Sequence, residues 1–211
     1  MRFWKTKSRL VAALAIVAVL GAGGLVLKPD PKDNTASNQT TNPVGAQAGQ
    51  PASGGVSVTK DAAGTAFIET ADFKYQIPAS WVQMKKEVLD QIGATSGIGS
   101  VSNLTAIFKT SVSSSTPKDD NQLKNNTLDD IKKNAPNFAL LSSLSTKVDG
   151  QSGYKFIYSF TDKDGQNKLR QQLSAVPYKA KTFFLLASSS DGDFDKQKGE
   201  FDKILNSFRF K

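Results

Sequence analysis

The chain has 211 residues, with no Cys and no His among them. That excludes a disulfide framework, thiolate and imidazole metal sites, a cysteine nucleophile and a His-based triad, and leaves any chemistry to carboxylates, Lys, Tyr, Ser or Thr. The formal charge of +8 is concentrated at one end: residues 1–60 hold seven Lys or Arg against two acids, residues 61–211 hold twenty against seventeen, and the mixed charges of the latter read as a solvated surface rather than a nucleic-acid-binding stripe.

Residues 1–9 form a basic flank with Arg2, Lys5, Lys7 and Arg9 and no acid, and residues 10–27 follow without a charge. Eighteen helical residues span about 27 Å, close to the lower limit for crossing a bilayer. The positive flank predicts a cytoplasmic N-terminus and an extracytoplasmic remainder. A secretory signal with small-residue sites at Gly21-Ala22-Gly23 or Ala46-Gln47-Ala48 fits the same pattern, so 10–27 reads as a transmembrane anchor or a signal h-region. Residues 28–64, rich in Pro, Gly, Ser, Thr, Asn and Gln, read as a disordered linker.

The folded domain is expected over residues 65–211. A strand over Thr65–Thr70 leads through an Ala71-Asp72 turn into Phe73–Ile77, where Phe73, Tyr75 and Ile77 alternate with polar residues until Pro78. A helix capped by Ser80 is expected through Trp81, Val88 and Ile92, closed by Gly93. Gly93–Asn103 then reads as a flexible loop, Leu104–Thr110 as a strand, and Ser111–Gln122 as a polar insert. Leu123, Thr127 or Leu128, Ile131 and Ala135 mark a helix over Asn121–Asn134, ended by Pro136, and a short strand is expected near Ser143–Val148.

Three runs follow, Tyr154–Thr161, Lys168–Val176 and Lys181–Ser188, joined by Asp164-Gly165 and by Pro177–Ala180. Such short connections require neighbouring antiparallel strands. Phe183–Leu186 places bulky groups on both faces, as in a central strand, and the period of Phe194, Phe201 and Leu205 predicts a terminal helix over Phe194–Asn206. The elements predict an α+β fold, an antiparallel β-sheet with helices packed on both faces.

The segments Phe73-Lys74-Tyr75-Gln76-Ile77-Pro78-Ala79-Ser80-Trp81, Gly153-Tyr154-Lys155-Phe156-Ile157-Tyr158 and Phe201-Asp202-Lys203-Ile204-Leu205-Asn206-Ser207-Phe208, in this order and spacing, resemble the PsbP-like domain family, the Mog1/PsbP α/β/α sandwich. The resemblance implies that fold, and binding or assembly roles more often than catalysis. It transfers no functional residue.

No catalytic, cofactor-binding or metal-binding residue is assigned. Asp191, Asp193, Asp195 and Asp202 follow the first, third, fifth and twelfth positions of a calcium loop, but Lys196 stands where that loop needs Gly, and first-turn helix charge explains the same cluster. Asp162 and Asp164 read as turn residues; Trp81, Tyr75, Tyr154 and Tyr158 as core rather than an aromatic pocket; and Ser96-Gly97-Ile98-Gly99-Ser100 lacks the Lys of a phosphate loop. The expected function is that of a membrane-anchored extracytoplasmic binding or assembly-assisting protein without catalytic activity or cofactor. Its expected location is the cell membrane in a single pass, with an unidentified envelope or membrane protein as partner, the membrane itself engaged through residues 10–27, and no nucleic acid. An exported small-ligand or lipid carrier and a carboxylate- or Ser/Lys-based hydrolase are the alternatives, the Gly93–Asn103 and Ser111–Gln122 loops being the expected contact surface.

Overall fold

The computed structural model describes residues 55–101, 106–162 and 165–211. In chain order the elements are β1 (Ser57–Lys60), β2 (Ala66–Glu69), β3 (Phe73–Gln76), β4 (Trp81–Gln83), α1 (Lys86–Gln91), β5 (Ser96–Ser100), β6 (Ile107–Ser113), α2 (Asp120–Asn134), β7 (Ala139–Val148), β8 (Gln151–Thr161), β9 (Lys168–Tyr178), β10 (Lys181–Ser190), α3 (Phe194–Ser207) and β11 (Arg209–Phe210). They form a four-stranded sheet in the order β1-β2-β3-β11 and a seven-stranded sheet in the order β4-β5-β6-β10-β9-β8-β7.

Strand alternation sets the layers. On β10, Phe183, Leu185 and Ala187 enter one core while Phe184 and Leu186 enter another, because successive side chains leave opposite faces of a sheet. The first core joins the large sheet to the small sheet and α3 through Phe73, Tyr75, Phe201, Ile204 and Phe208. The second lies under α2 through Leu123, Ile131, Phe156 and Phe160, and Ile92 after α1 packs on Ile107 beside it. This is the α+β sandwich expected, with helices on both faces of an antiparallel sheet. Two buried phenol hydroxyls are partnered within it: Tyr75 Oη lies 2.9 Å from Ser96 Oγ, and Tyr158 donates to Gln171 Oε1 at 2.6 Å.

The expected β2–β3 hairpin, α2, the β8–β9–β10 meander and α3 are all present. Asp119 caps α2 by accepting from the Gln122 amide at 2.8 Å, which satisfies one of the four orphan donors at that end. Asp164, half of the expected Asp164-Gly165 turn, lies outside the described residues, as does Lys163. The β9–β10 turn is tighter than expected: Pro177 still pairs with Thr182, and Lys179 and Ala180 alone make the turn, at φ 44° and 58°.

Four expectations are corrected. The stretch assigned to linker contains β1, which pairs with β2 from Ser57 opposite Glu69 to Lys60 opposite Ala66. The helix expected from Ser80 is a strand and then one short helix, because Trp81 is buried against the Phe201 ring and β4 pairs with β5. The loop expected over Gly93–Asn103 contains β5, whose Gly97 is closely approached by two side chains: a Cβ there would stand 2.9 Å from Met84 Sδ and 3.0 Å from Leu89 Cδ2. Ser102–Thr105, which include the start of the expected Leu104–Thr110 strand, lie outside the described residues, and β6 runs on to Ser113.

The membrane expectations are corrected as well. Residues 10–27 lie outside the described residues, and no helix among the described residues is long and apolar enough to cross a membrane. The longest, α2, has 15 residues and carries Asp129, Asp130, Lys132 and Lys133. At 1.5 Å per residue it reaches about 22 Å, short of a hydrocarbon core of about 30 Å. Single-pass anchoring, a membrane-bound partner and a cell-membrane location are withdrawn from the functional reading, which rests on the folded part alone.

Candidate functional site

The chain crosses from the small sheet to the large one between Gln76 and Trp81. The Ile77 amide donates to the Ala66 carbonyl at 2.8 Å, closing the small sheet, and the Trp81 amide donates to the Pro78 carbonyl at 2.9 Å, turning the chain into β4. Pro78 lacks an amide donor and so suits a point where pairing with one sheet ends and pairing with the other begins. Beside this crossing lies an open trough of about 520 Å³. Val58 and Lys60 of β1 and Val82 and Gln83 of β4 line it, together with Pro78, Ala79 and Trp81.

Both flanking strands are sheet edges, β1 of the small sheet and β4 of the large. The Met84 amide donates to the Gly97 carbonyl and the Val101 amide to the Ser80 carbonyl, so even-numbered residues bond toward β5. Antiparallel alternation then turns the backbone groups of Gln83 outward. A second cleft of about 280 Å³ shares Gln76, Pro78 and Ala79 with the trough and continues it beneath α3, where Glu200 and Lys203 form a 2.7 Å ion pair. A third, of about 240 Å³, lies on the opposite face, where Thr116–Lys118 meet α2 at Gln122 and Asn126.

The Asp cluster does not converge. Asp191 accepts from Arg170 Nε at 2.7 Å and lies 3.0 Å from Lys168 Nζ; Asp195 faces Arg170 Nη1 at 3.1 Å; Asp193 pairs with Lys196 and with the Ser190 hydroxyl; Asp202 pairs with Lys198. Hydrogen bonding from Lys168, with the Arg170 guanidinium beside it, holds Asp191 below the usual carboxylate range. Asp162 accepts from the Gln166 amide at 2.9 Å and from Asn167, as a turn residue does. Trp81, Tyr75 and Tyr158 are buried in the core, with Tyr154 packed at its edge. Of the two expected contact loops, Gly93–Asn103 is largely taken up by β5, while Thr116–Gln122 borders the third cleft.

Lys109 is a buried cation that sequence reasoning missed, and it lines none of the three clefts. It sits on β6 between Phe108 and Thr110, almost wholly buried, and donates to the Ile92 carbonyl just past α1 at 3.0 Å. Burial lowers its pKa to about 8. A lone Lys within an apolar strand was the signal.

A family model described as PsbP matches residues 65–210. The chain belongs to the PsbP family. Its fold is similar to that of the PsbP of the cyanobacterium Synechocystis sp. PCC 6803, at 15% identity and a TM-score of 0.48, covering 81% of this chain and 100% of that one. It is similar to LpqN of Mycobacterium tuberculosis, described as involved in cell envelope biogenesis, at 12% identity and 0.49, covering 74% and 90%. It is also similar to a Pseudomonas aeruginosa protein of unknown function described as a putative regulator, PA94, at 10% identity and 0.47, covering 73% and 96%. No curated protein matches. The trough lies within the part of this chain that matches the PsbP family, apart from the β1 side and the residues just after it, which precede residue 65.

Proposed function

We propose that this PsbP-family domain acts by binding, without turnover, and that a small, elongated, partly apolar ligand lies in the trough between β1 and β4. The observation that carries the reading is the trough's lining. Val58 and Val82 are two of the six large apolar side chains exposed among the described residues, and both face the same concavity of about 520 Å³. That volume falls in the range of about 300–1,000 Å³ typical of small-ligand sites. Pro78 and Ala79 give it a rigid apolar floor, and Lys60, Gln76 and Gln83 supply polar ends that would orient a ligand.

Carriage of a long-chain lipid is less well supported than carriage of a small ligand. An alkyl chain needs an enclosed apolar cavity, whereas the space between the large sheet and the small sheet is filled by rings in contact, Phe73 with Phe208 at 5.2 Å and Tyr75 with Phe108 at 5.2 Å. Binding without chemistry is supported by where the ionisable groups point. The ammonium of Lys109 is turned to the Ile92 carbonyl, and Asp191 and Asp195 are held by Arg170. Neither arrangement aims a base or nucleophile into the trough.

The test is a two-dimensional amide NMR screen of the purified chain against a set of small, partly apolar fragments. Binders are expected to shift the amides of Val58, Ala66, Ala79 and Val82, and Ala79→Trp, which fills the trough, is expected to abolish those shifts. Fragments that bind the chain while leaving these four amides unmoved would refute the site.

A further inference from the structure

Of the other four exposed large apolar side chains, three lie together, far from the trough in strand order, and Val101 follows β5. Leu140, Leu141 and Leu144 are 42%, 53% and 54% exposed, and all three belong to β7, the edge of the seven-stranded sheet opposite to β4. An open edge presents unpaired amides and carbonyls and is normally blunted by charge, Pro or brevity. β7 has ten residues, no Pro and one charge, Lys147; the bulge at Leu140/Ser142 affects only its first part.

The hairpin fixes which groups face out. Val148 and Gln151 close a two-residue turn, with Asp149 at φ 48° and Gly150 at φ 77°. Such a turn is closed by a bonded pair, and bonded pairs then alternate along the ladder. Val148, Thr146, Leu144 and Ser142 therefore bond to β8, and Lys147, Ser145 and Ser143 turn their backbone groups to the open side.

We propose that β7 is a self-association edge, on which a second copy of this chain pairs antiparallel about a two-fold axis through Leu144. In that register Ser143 of each copy exchanges backbone bonds with Ser145 of the other, and the two Leu144 side chains meet in the closely spaced pair on the axis. Leu141 lies under the aliphatic stem of the other copy's Lys147. The two Lys147 ammoniums fall at opposite ends, roughly 20 Å apart at 3.4 Å per residue, so the one charge of the strand does not oppose pairing.

A separate observation selects this register. The Ser143 hydroxyl is buried, and among the described residues it has no hydrogen-bond partner, a condition that costs stability unless a partner arrives. Ser143 stands opposite Phe156 and Ser145 opposite Tyr154, so both lie on one face of the sheet. Pairing about Leu144 brings the exposed Ser145 hydroxyl of the second copy beside Ser143, within one side-chain rotation of a bond.

The area sets the strength. Ten residues give an edge about 34 Å long, and with side chains on both faces it covers roughly 500 Å² per copy, or about 1,000 Å² in all. That lies below the range of about 1,200–2,000 Å² of stable interfaces, so the pair is a reversible, concentration-dependent dimer.

Sedimentation equilibrium of the full chain tests this. The weight-average mass is expected to rise from 22.7 kDa toward twice that value between about 10 µM and about 1 mM, as a weak interface of this size predicts. Leu144→Lys sets two ammoniums face to face, and Ser145→Pro removes an outward amide; each is expected to weaken association at least about tenfold, as like charges and lost ladder bonds do at an edge. Mixing Leu144→Lys with Leu144→Glu is expected to restore a mixed dimer, which a merely misfolded variant would not do. Val101→Lys, just past β5 and outside both β7 and the trough, is expected to leave association unchanged. A full chain that stays monomeric to about 1 mM overturns the proposal, whether residues 1–54 or another protein then covers the edge; so does a dimer indifferent to both β7 substitutions.

Discussion

Replacing Phe201 by Ala tests the joint that builds the trough. Phe201 is almost wholly buried, its ring 5.8 Å from Trp81 in an edge contact and 5.5 Å from Phe194. Truncating a core Phe costs about 3–5 kcal/mol, transfer and cavity together. Two ring contacts worth about 0.5–1.5 kcal/mol each place this site in the upper half of that range, near 4 kcal/mol. For a domain of this size that is a fall in Tm of about 10–15 °C, or about 2 M in the urea midpoint at a slope of about 2 kcal/mol/M. Far-UV circular dichroism in urea reads it. The loss should also release Trp81 and widen the trough, so fragment binding at Val82 should weaken in native buffer. A loss below about 1 kcal/mol would show that α3 does not pack on the large sheet through this ring.

Two glycine substitutions should move stability in opposite directions. A Cβ at Gly153 would meet the Ala175 carbonyl oxygen, which belongs to rigid backbone, whereas a Cβ at Gly199 in α3 meets nothing within 4 Å. Gly153→Ala is expected to cost about 1–3 kcal/mol and Gly199→Ala to gain about 0.5–1 kcal/mol in urea unfolding; equal effects would refute the packing of β8 on β9. Stability should also climb with pH. Burial lowers Lys109 to about 8 from 10.5, so the unfolded chain holds the extra proton between those values and the fold gains about 3 kcal/mol across the window. Burial raises Tyr75 and Tyr158 above the ordinary tyrosine value, so above about pH 10 the unfolded tyrosines ionise first and the gain reverses. Urea midpoints between pH 7 and 11 should pass through a maximum near 10, and Lys109→Met should remove the rise; a flat profile in the unsubstituted chain would refute the burial of that ammonium.

The layers were legible because their signals are long. The three runs from Tyr154 to Ser188 are eight or nine residues long and are bounded by short polar turns, and the period of α3 holds over Phe194, Phe201 and Ile204. The first half was misread where local signals are short or ambiguous. Trp81–Gln83 is too brief for alternation to declare itself, and the small residues of β5 look like a loop when their reason is the approach of Met84 and Leu89 to Gly97. The trough was not visible at all. It arises where β1 and β4, distant in sequence pairing, end as edges beside one crossing, and no local pattern encodes which edges become neighbours. The dispersal of the four Asp side chains among Arg170, Lys168, Lys196 and Lys198 was equally a matter of register, since Arg170 reaches Asp191 only because β9 and β10 pair with Arg170 opposite Ser189.

The most direct test of binding in the trough is a crystal structure of the chain with the tightest fragment from the NMR screen. The fragment is expected between Val58 and Val82, resting on Pro78 and Ala79, with its polar end toward Lys60 or Gln83. Density for it in the cleft beside α2, at Lys118 and Asn126, with the trough holding only solvent, would contradict the proposed function.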